Sequence, residues 1–250
     1  MIAREGEGGA PEAPVWGELR YSGELMRLLA DGELRASREQ RGEGVPVLLI
    51  PGFMAGDASL AVMRRWLRRR GHDVSMSGIR ANIGCAEEIV SRLETKLRAL
   101  AEEFDRPLVL VGQSRGGTFA RALAVRHPDS VSGLVMLGSP VGDGLAISTT
   151  VMRTVRIVAR LGDLGVPGVF STSCHDGDCC ERFREDMRAP LDQAIEAVSV
   201  LSRSDAVVDW RACVDTHAET IEVDSSHCGM SVHPEVYRVL EDTLARVCRV

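Results

Sequence analysis

Three apolar runs constrain this chain more than anything else in it: "VPVLLI" at 45–50, "PLVLVG" at 107–112 and "VSGLVMLGSP" at 131–140. A strand with one wet face alternates apolar and polar residues, whereas an unbroken apolar strand is covered on both sides. Between the runs the apolar residues recur at helical spacing. Leu60, Met63, Trp66 and Leu67 share a face over 59–70, and Ile89, Val90, Leu93, Leu97 and Leu100 do so over 87–104. A short strand is expected at 74–76, and "GGTFARALAVRHP" reads as a further helix. This alternation predicts an α/β fold: a mainly parallel twisted sheet with right-handed crossovers and helices on both faces.

After Pro140 the rhythm stops. Residues 141–195 carry Gly, Pro and Cys clusters and one helical stretch, "AISTTVMRTVRIVARL", with no strand pattern. It resumes with "AVSVLSR" at 197–203, "TIEV" at 220–223 and a helix over 234–247. The break predicts one domain at 15–250 with an insertion, a lid or cap, at about 141–195. Residues 1–14 are rich in Gly, Glu and Pro without periodicity and predict a mobile tail. Residues 16–36 predict one or two helices packed on the body. The net charge of −6 argues against nucleic acid or an anionic membrane as main partner, and "RRWLRRR" at 64–70 reads as the wet face of a helix. No apolar run is long enough to span a bilayer and the N-terminus lacks a signal-peptide core, so the expectation is a cytoplasmic protein without stable membrane insertion. Nothing in the sequence indicates an oligomeric state.

"LVLVGQSRGG" at 108–117 ends a strand on a serine among small residues. A strand that turns at once into a helix strains the residue at its apex and crowds the positions two before and two after. Gly112-x-Ser114-x-Gly116 in that context marks Ser114 as a candidate nucleophile. A hydroxyl needs a base, and the base an orienting acid, at the C-terminal ends of later strands. His227, in "TIEVDSSHCGM", follows the last strand; His72, His127, His175, His217 and His233 are read as exposed or capping. Asp205, in "VLSRSDAVVDW", lies nearer its strand end than Asp209, which is read as exposed or capping. An oxyanion needs backbone donors: the N–H of Arg115, and the N–H of Phe53 in "PGFMAGD", with Met54 as the alternative.

These residues resemble the α/β-hydrolase superfamily, and within it bacterial lipases and esterases. The similarity runs through "LLIPGFMAGDASL", "WLRRRGHDV", "NIGC", "LVGQSRGGTFARALAVRHPDSVSGLVMLGSP", "SVLSRSDAVVDWRAC" and "SSHCGMSVHPEV". It implies a cofactor-free carboxylic-ester hydrolase with Ser114, Asp205 and His227 as triad and Phe53 and Arg115 as oxyanion donors. Pro-Gly stands where His-Gly is usual before the oxyanion residue, and Arg115 where an apolar residue is commoner. The Arg115 guanidinium is expected to pair with an acid below the turn, or else to select an anionic substrate group.

The helix in the insertion is amphipathic, with Ile147, Val151, Met152, Val155, Ile157, Val158 and Leu161 interrupted by Arg153, Arg156 and Arg160. It would shelter an apolar acyl chain or pack on the body. The chain has seven cysteines. "CHDGDCC" offers Cys174, His175, Cys179 and Cys180 to a metal, but adjacent cysteines are poor zinc geometry, so no metal is expected. A disulfide from Cys174 to Cys179 or Cys180 is preferred, against the redox of a reducing compartment. Cys228 is read as a packing residue. The partner expected is a small-molecule ester with an apolar acyl portion. The rivals are a thioesterase or acyltransferase on the same scaffold, and a non-catalytic ligand-binding protein.

Overall fold

The apolar runs become the inner strands of one sheet. A computed structural model describes residues 15–36, 44–142 and 146–248; the tail expected at 1–14 lies outside the described residues. The strands are β1 (Pro46–Ile50), β2 (Asp73–Met76), β3 (Leu108–Gln113), β4 (Val131–Leu137), β5 (Glu196–Leu201) and β6 (Glu219–Glu222). They lie in the order β2-β1-β3-β4-β5-β6, every pair parallel.

Alternate residues of these strands fill two separate cores. Leu48, Ile50, Leu108, Leu110, Leu134 and Met136 pack with α4 (Ala86–Phe104) and α5 (Arg115–Arg126). Val47, Leu49, Val109, Val111, Val135 and Leu137 pack on the opposite face with α3 (Ala61–Arg69) and α9 (Pro234–Val247). That second core is closed by α1 (Tyr21–Ala30) and α2 (Gly32–Ala36), through Leu28 and Leu34. The two-sided burial is the physical reason the strand sequences have no polar face. The edge strand β6, by contrast, is mostly exposed, which blurs its pattern.

Between β4 and β5 the described chain forms α6 (Thr149–Asp163), α7 (Ser173–Asp176) and α8 (Glu181–Asp186). The last two are too short to display an apolar face, which is why only α6 was legible. Ile147 makes an isolated antiparallel bridge with Val208, tying the start of this segment to the loop after β5. On α3, Arg65, Arg68 and Arg69 face water as expected, but Arg70 lies over the Trp66 ring at 4.6 Å and donates to Leu34 O. Among the described residues no helix is long and apolar enough to cross a membrane.

Candidate active site

Strand β3 ends at Gln113 and α5 begins at Arg115, so Ser114 alone makes the turn. Its backbone stands at φ 52°, ψ −125°, a conformation L-residues adopt only when the surroundings impose it. The Ser114 N–H donates to Leu137 O at 2.7 Å, which anchors the apex to β4. A Cβ at Gly112 would overlap the Gly116 carbonyl and stand 2.5 Å from Gly117 Cα; one at Gly116 would overlap Ile50 O and stand 2.6 Å from Pro51 O. Both neighbours must therefore be glycine. The loop after β1 lies against the same apex, since a Cβ at Gly52 would meet Ser114 Cβ at 3.2 Å.

Asp205 follows the end of β5, and its Oδ1 accepts from the N–H groups of Val207 and Val208 at 2.7 and 2.8 Å. Those two bonds aim Oδ2 at His227, whose Nδ1 donates to it at 2.6 Å. Both side chains are buried, at 1% and 7% exposed, so the contact is shielded from water. Burial alone would lower the His227 pKa; the charge of Asp205, its hydrogen bond and the charge of Glu18 outweigh it and leave the imidazole raised above 6.5. Asp209 caps a 3-10 turn by accepting from Arg211 N, as expected, but it is buried rather than exposed. His233, read as exposed or capping, is buried at the N-terminal boundary of α9 and makes no side-chain cap bond. His127 contacts Glu94 at 3.0 Å, and His72 Nδ1 accepts from Val45 N.

Several residues that hold this arrangement carried no sequence signal. Gln113 Nε2 donates to His227 O and Cys228 O at 3.2 and 3.4 Å, joining the serine turn to the histidine loop. Glu24 is buried in α1 and accepts from Ser226 N and Ser226 Oγ at 2.7 and 2.6 Å. Glu18 accepts from the N–H groups of His227 and Cys228 at 3.0 Å each. The N-terminal helices thus clamp the loop that carries His227. Cys228 is exposed, not the packing residue expected.

Arg115 corrects another expectation. Its guanidinium donates to Asn82 O, Asn82 Oδ1 and Gly84 O at 3.2, 3.0 and 2.8 Å and lies over the rings of Phe119 and Phe170. Carbonyl dipoles and aromatic faces take the place of the expected acid, and burial lowers its pKa to about 10. Asn82 also accepts from Met54 N at 3.1 Å and donates from Nδ2 to Pro51 O at 2.8 Å. Met54 itself sits at φ 59°. The Phe53 and Phe170 rings lie 6.1 Å apart, so the segment between β4 and β5 reaches the loop after β1.

A family model described as "alpha/beta hydrolase fold" matches residues 69–171. The crystal structure of lipase BlEst2 from Bacillus licheniformis in its mature form superposes with a TM-score of 0.63 at 14% identity, covering 82% of this chain and 94% of that one. A thermophilic esterase from Thermogutta terrifontis gives 0.54 at 18% identity, over 84% and 93% of the two chains. A putative non-heme bromoperoxidase, BpoC, from Mycobacterium tuberculosis gives 0.52 at 17% identity, over 84% and 95%. No curated protein sequence matches the chain. At these identities the likeness establishes the fold, and that fold also carries a non-esterase name.

Proposed function

We propose that this protein, which has the α/β-hydrolase fold, is a serine esterase or lipase working through an acyl-enzyme. His227 removes the Ser114 proton, and Oγ attacks the ester carbonyl carbon to form a tetrahedral intermediate. The alcohol departs with that proton as the carbonyl reforms, leaving an acyl-serine. Water, deprotonated by the same imidazole, attacks in turn, and Ser114 leaves as the hydroxyl with release of the acid. Asp205 accepts the hydrogen bond from Nδ1 and so holds the Nδ1–H tautomer. The observation that carries this reading is the buried 2.6 Å contact of Asp205 Oδ2 with His227 Nδ1 beside the strained Ser114 turn.

Two features of the backbone support the expected oxyanion donors. Arg115 opens α5, where N–H groups have no acceptor within the helix. In the loop after β1, Met54 N donates to Asn82 O and Ala55 N to Gly52 O, which favours Phe53 N over Met54 N as the second donor. We take the segment at about 141–195 as a lid. Its α6 buries Val158 and Ala159 yet leaves Ile157 and Leu161 exposed, and Val166 and Met54 are exposed as well. Such surfaces suit an apolar acyl group, and the chemistry needs no cofactor.

A fluorophosphonate probe is expected to label wild-type protein at Ser114, and Ser114→Ala is expected to abolish both labelling and p-nitrophenyl ester hydrolysis. Unchanged turnover in the variant would remove the assignment. Failure of the wild type to label would favour a ligand-binding protein. A thioester panel run alongside the esters separates a thioesterase by its kcat/KM ratio.

A further inference from the structure

Four cysteines that the ester chemistry does not use meet at one point. The sulfurs of Cys85, Cys174, Cys179 and Cys180 all lie within 4.8 Å of one another. Cys85 and Cys180, 95 residues apart, stand with sulfurs at 3.5 Å, and the adjacent Cys179 and Cys180 at 3.8 Å. All four are free thiols, so the disulfide expected from Cys174 to Cys179 or Cys180 is not formed.

We propose that these four cysteines are a tetrathiolate site for a single zinc ion that fastens the segment between β4 and β5 to the body of the fold. A zinc–sulfur bond of about 2.3 Å in a tetrahedron sets neighbouring sulfurs about 3.8 Å apart; two of the pairs here stand at 3.5 and 3.8 Å, and all four sulfurs lie within 4.8 Å of one another. A disulfide would need about 2.05 Å between two of them and gives no reason for a common centre of four. An iron–sulfur cluster places inorganic sulfide between several irons and spreads its cysteines more widely than one ion does. Thiols are weak hydrogen-bond partners, so their mutual contacts alone are a poor reason to bring Cys85 together with the three cysteines of 174–180. The objection that adjacent cysteines are poor ligands fails on local geometry: Cys179 and Cys180 lie in a 3-10 turn that directs both sulfurs to the same side.

The surroundings fit an anionic centre. Cys85 immediately precedes α4, a helix of 19 residues whose N-terminal end is the positive pole of its dipole. Ser171 Oγ lies 3.6 Å from Cys174 Sγ, and the Arg115 guanidinium bonds Gly84 O next to Cys85. Cys85 and Cys180 are buried while Cys179 is exposed, which leaves a route for the ion. Phe170 N donates to Ile83 O at 2.8 Å, a hydrogen bond across the same seam. Zinc binding would release thiol protons to solvent, with no change of oxidation state.

Full-length protein purified under reducing conditions from zinc-supplemented cells is expected to hold about one zinc per chain by atomic emission. Cobalt exchanged into the site should give the intense visible bands of four-sulfur tetrahedral coordination. In competition with a chelator, Cys85→Ser and Cys179→Ser are each expected to lower retained zinc by about tenfold or more, while Cys228→Ser and Cys248→Ser retain it. Ser114→Ala should also retain it, which separates this site from the ester-hydrolase reading. Zinc below about a tenth of an equivalent in reduced, zinc-reconstituted wild type overturns the proposal, as do wild-type iron with sulfide, native disulfides by intact mass, or full retention by Cys85→Ser.

Discussion

His227 answers to two opposed demands. As the proposed base it must be neutral, yet Asp205 and Glu18 stabilise its charged form and hold its pKa above 6.5 against burial. The acid limb of kcat/KM on a p-nitrophenyl ester is therefore expected to have its midpoint above pH 6.5, and a midpoint below that value would contradict the site's electrostatics. The stability linkage runs the other way. A raised histidine contributes stability that is full below the unfolded pKa of about 6.5 and is lost as pH rises through the folded value, so the pH that frees the base also removes this contribution. Asp205→Asn keeps the shape but not the charge; kcat is expected to fall about 10⁴-fold, with the limb moving to lower pH. Activity within tenfold of wild type would mean that Asp209 or another group orients the histidine. The turn at Ser114 and the loop position of His227 after the last strand were legible because strand, turn and helix signals flank them. The partners of Arg115 were not, because they are carbonyls on a loop some 31 residues back, which no charge pattern announces.

Elements, rather than single residues, keep the histidine loop in place. Glu24 reads in sequence as one more polar position on an amphipathic helix, but the residue is 1% exposed and its carboxylate holds Ser226, next to His227. Glu24→Ala leaves the Ser226 N–H and the Ser226 O–H without their acceptor, at a cost of about 1–3 kcal/mol each, and should lower kcat more than it raises KM. Glu24→Gln retains an acceptor and is expected to fall between the two in urea denaturation; an alanine variant as stable and active as wild type would show that the clamp carries no weight. The serine turn was far more legible, because its requirement is steric and local. In Gly116→Ala the new methyl would overlap the carbonyl of Ile50, a backbone atom of a central strand that cannot step aside. Loss of both thermal stability and fluorophosphonate labelling is expected, and normal labelling would show that the turn has slack.

Across the whole molecule the sheet was legible and the attachment of the 141–195 segment was not. Strand runs and helical periods announce themselves within short windows, whereas this segment is joined to the body by long-range polar contacts. Arg121 appears in "GGTFARALAVRHP" as a charge on a helix surface and is instead 3% exposed. From α5 its Nε pairs with Asp215 Oδ2 at 2.6 Å, before β6, and its other nitrogens donate to the carbonyls of Asp186 and Ala189 at the exit from α8. Arg126, one turn further along α5, binds Asp186 and Glu87. Four segments far apart in sequence thus share one polar junction at α5. Arg121→Met leaves Asp215 charged and buried with its cation gone, and a loss of about 3–5 kcal/mol is expected in urea denaturation. Adding Asp215→Leu removes the stranded charge and should recover part of that loss. The remainder belongs to the carbonyls of Asp186 and Ala189, and limited proteolysis near 181–195 should still be faster in the double variant than in wild type. A single variant costing less than about 1 kcal/mol would show that apolar packing holds the segment without the arginine.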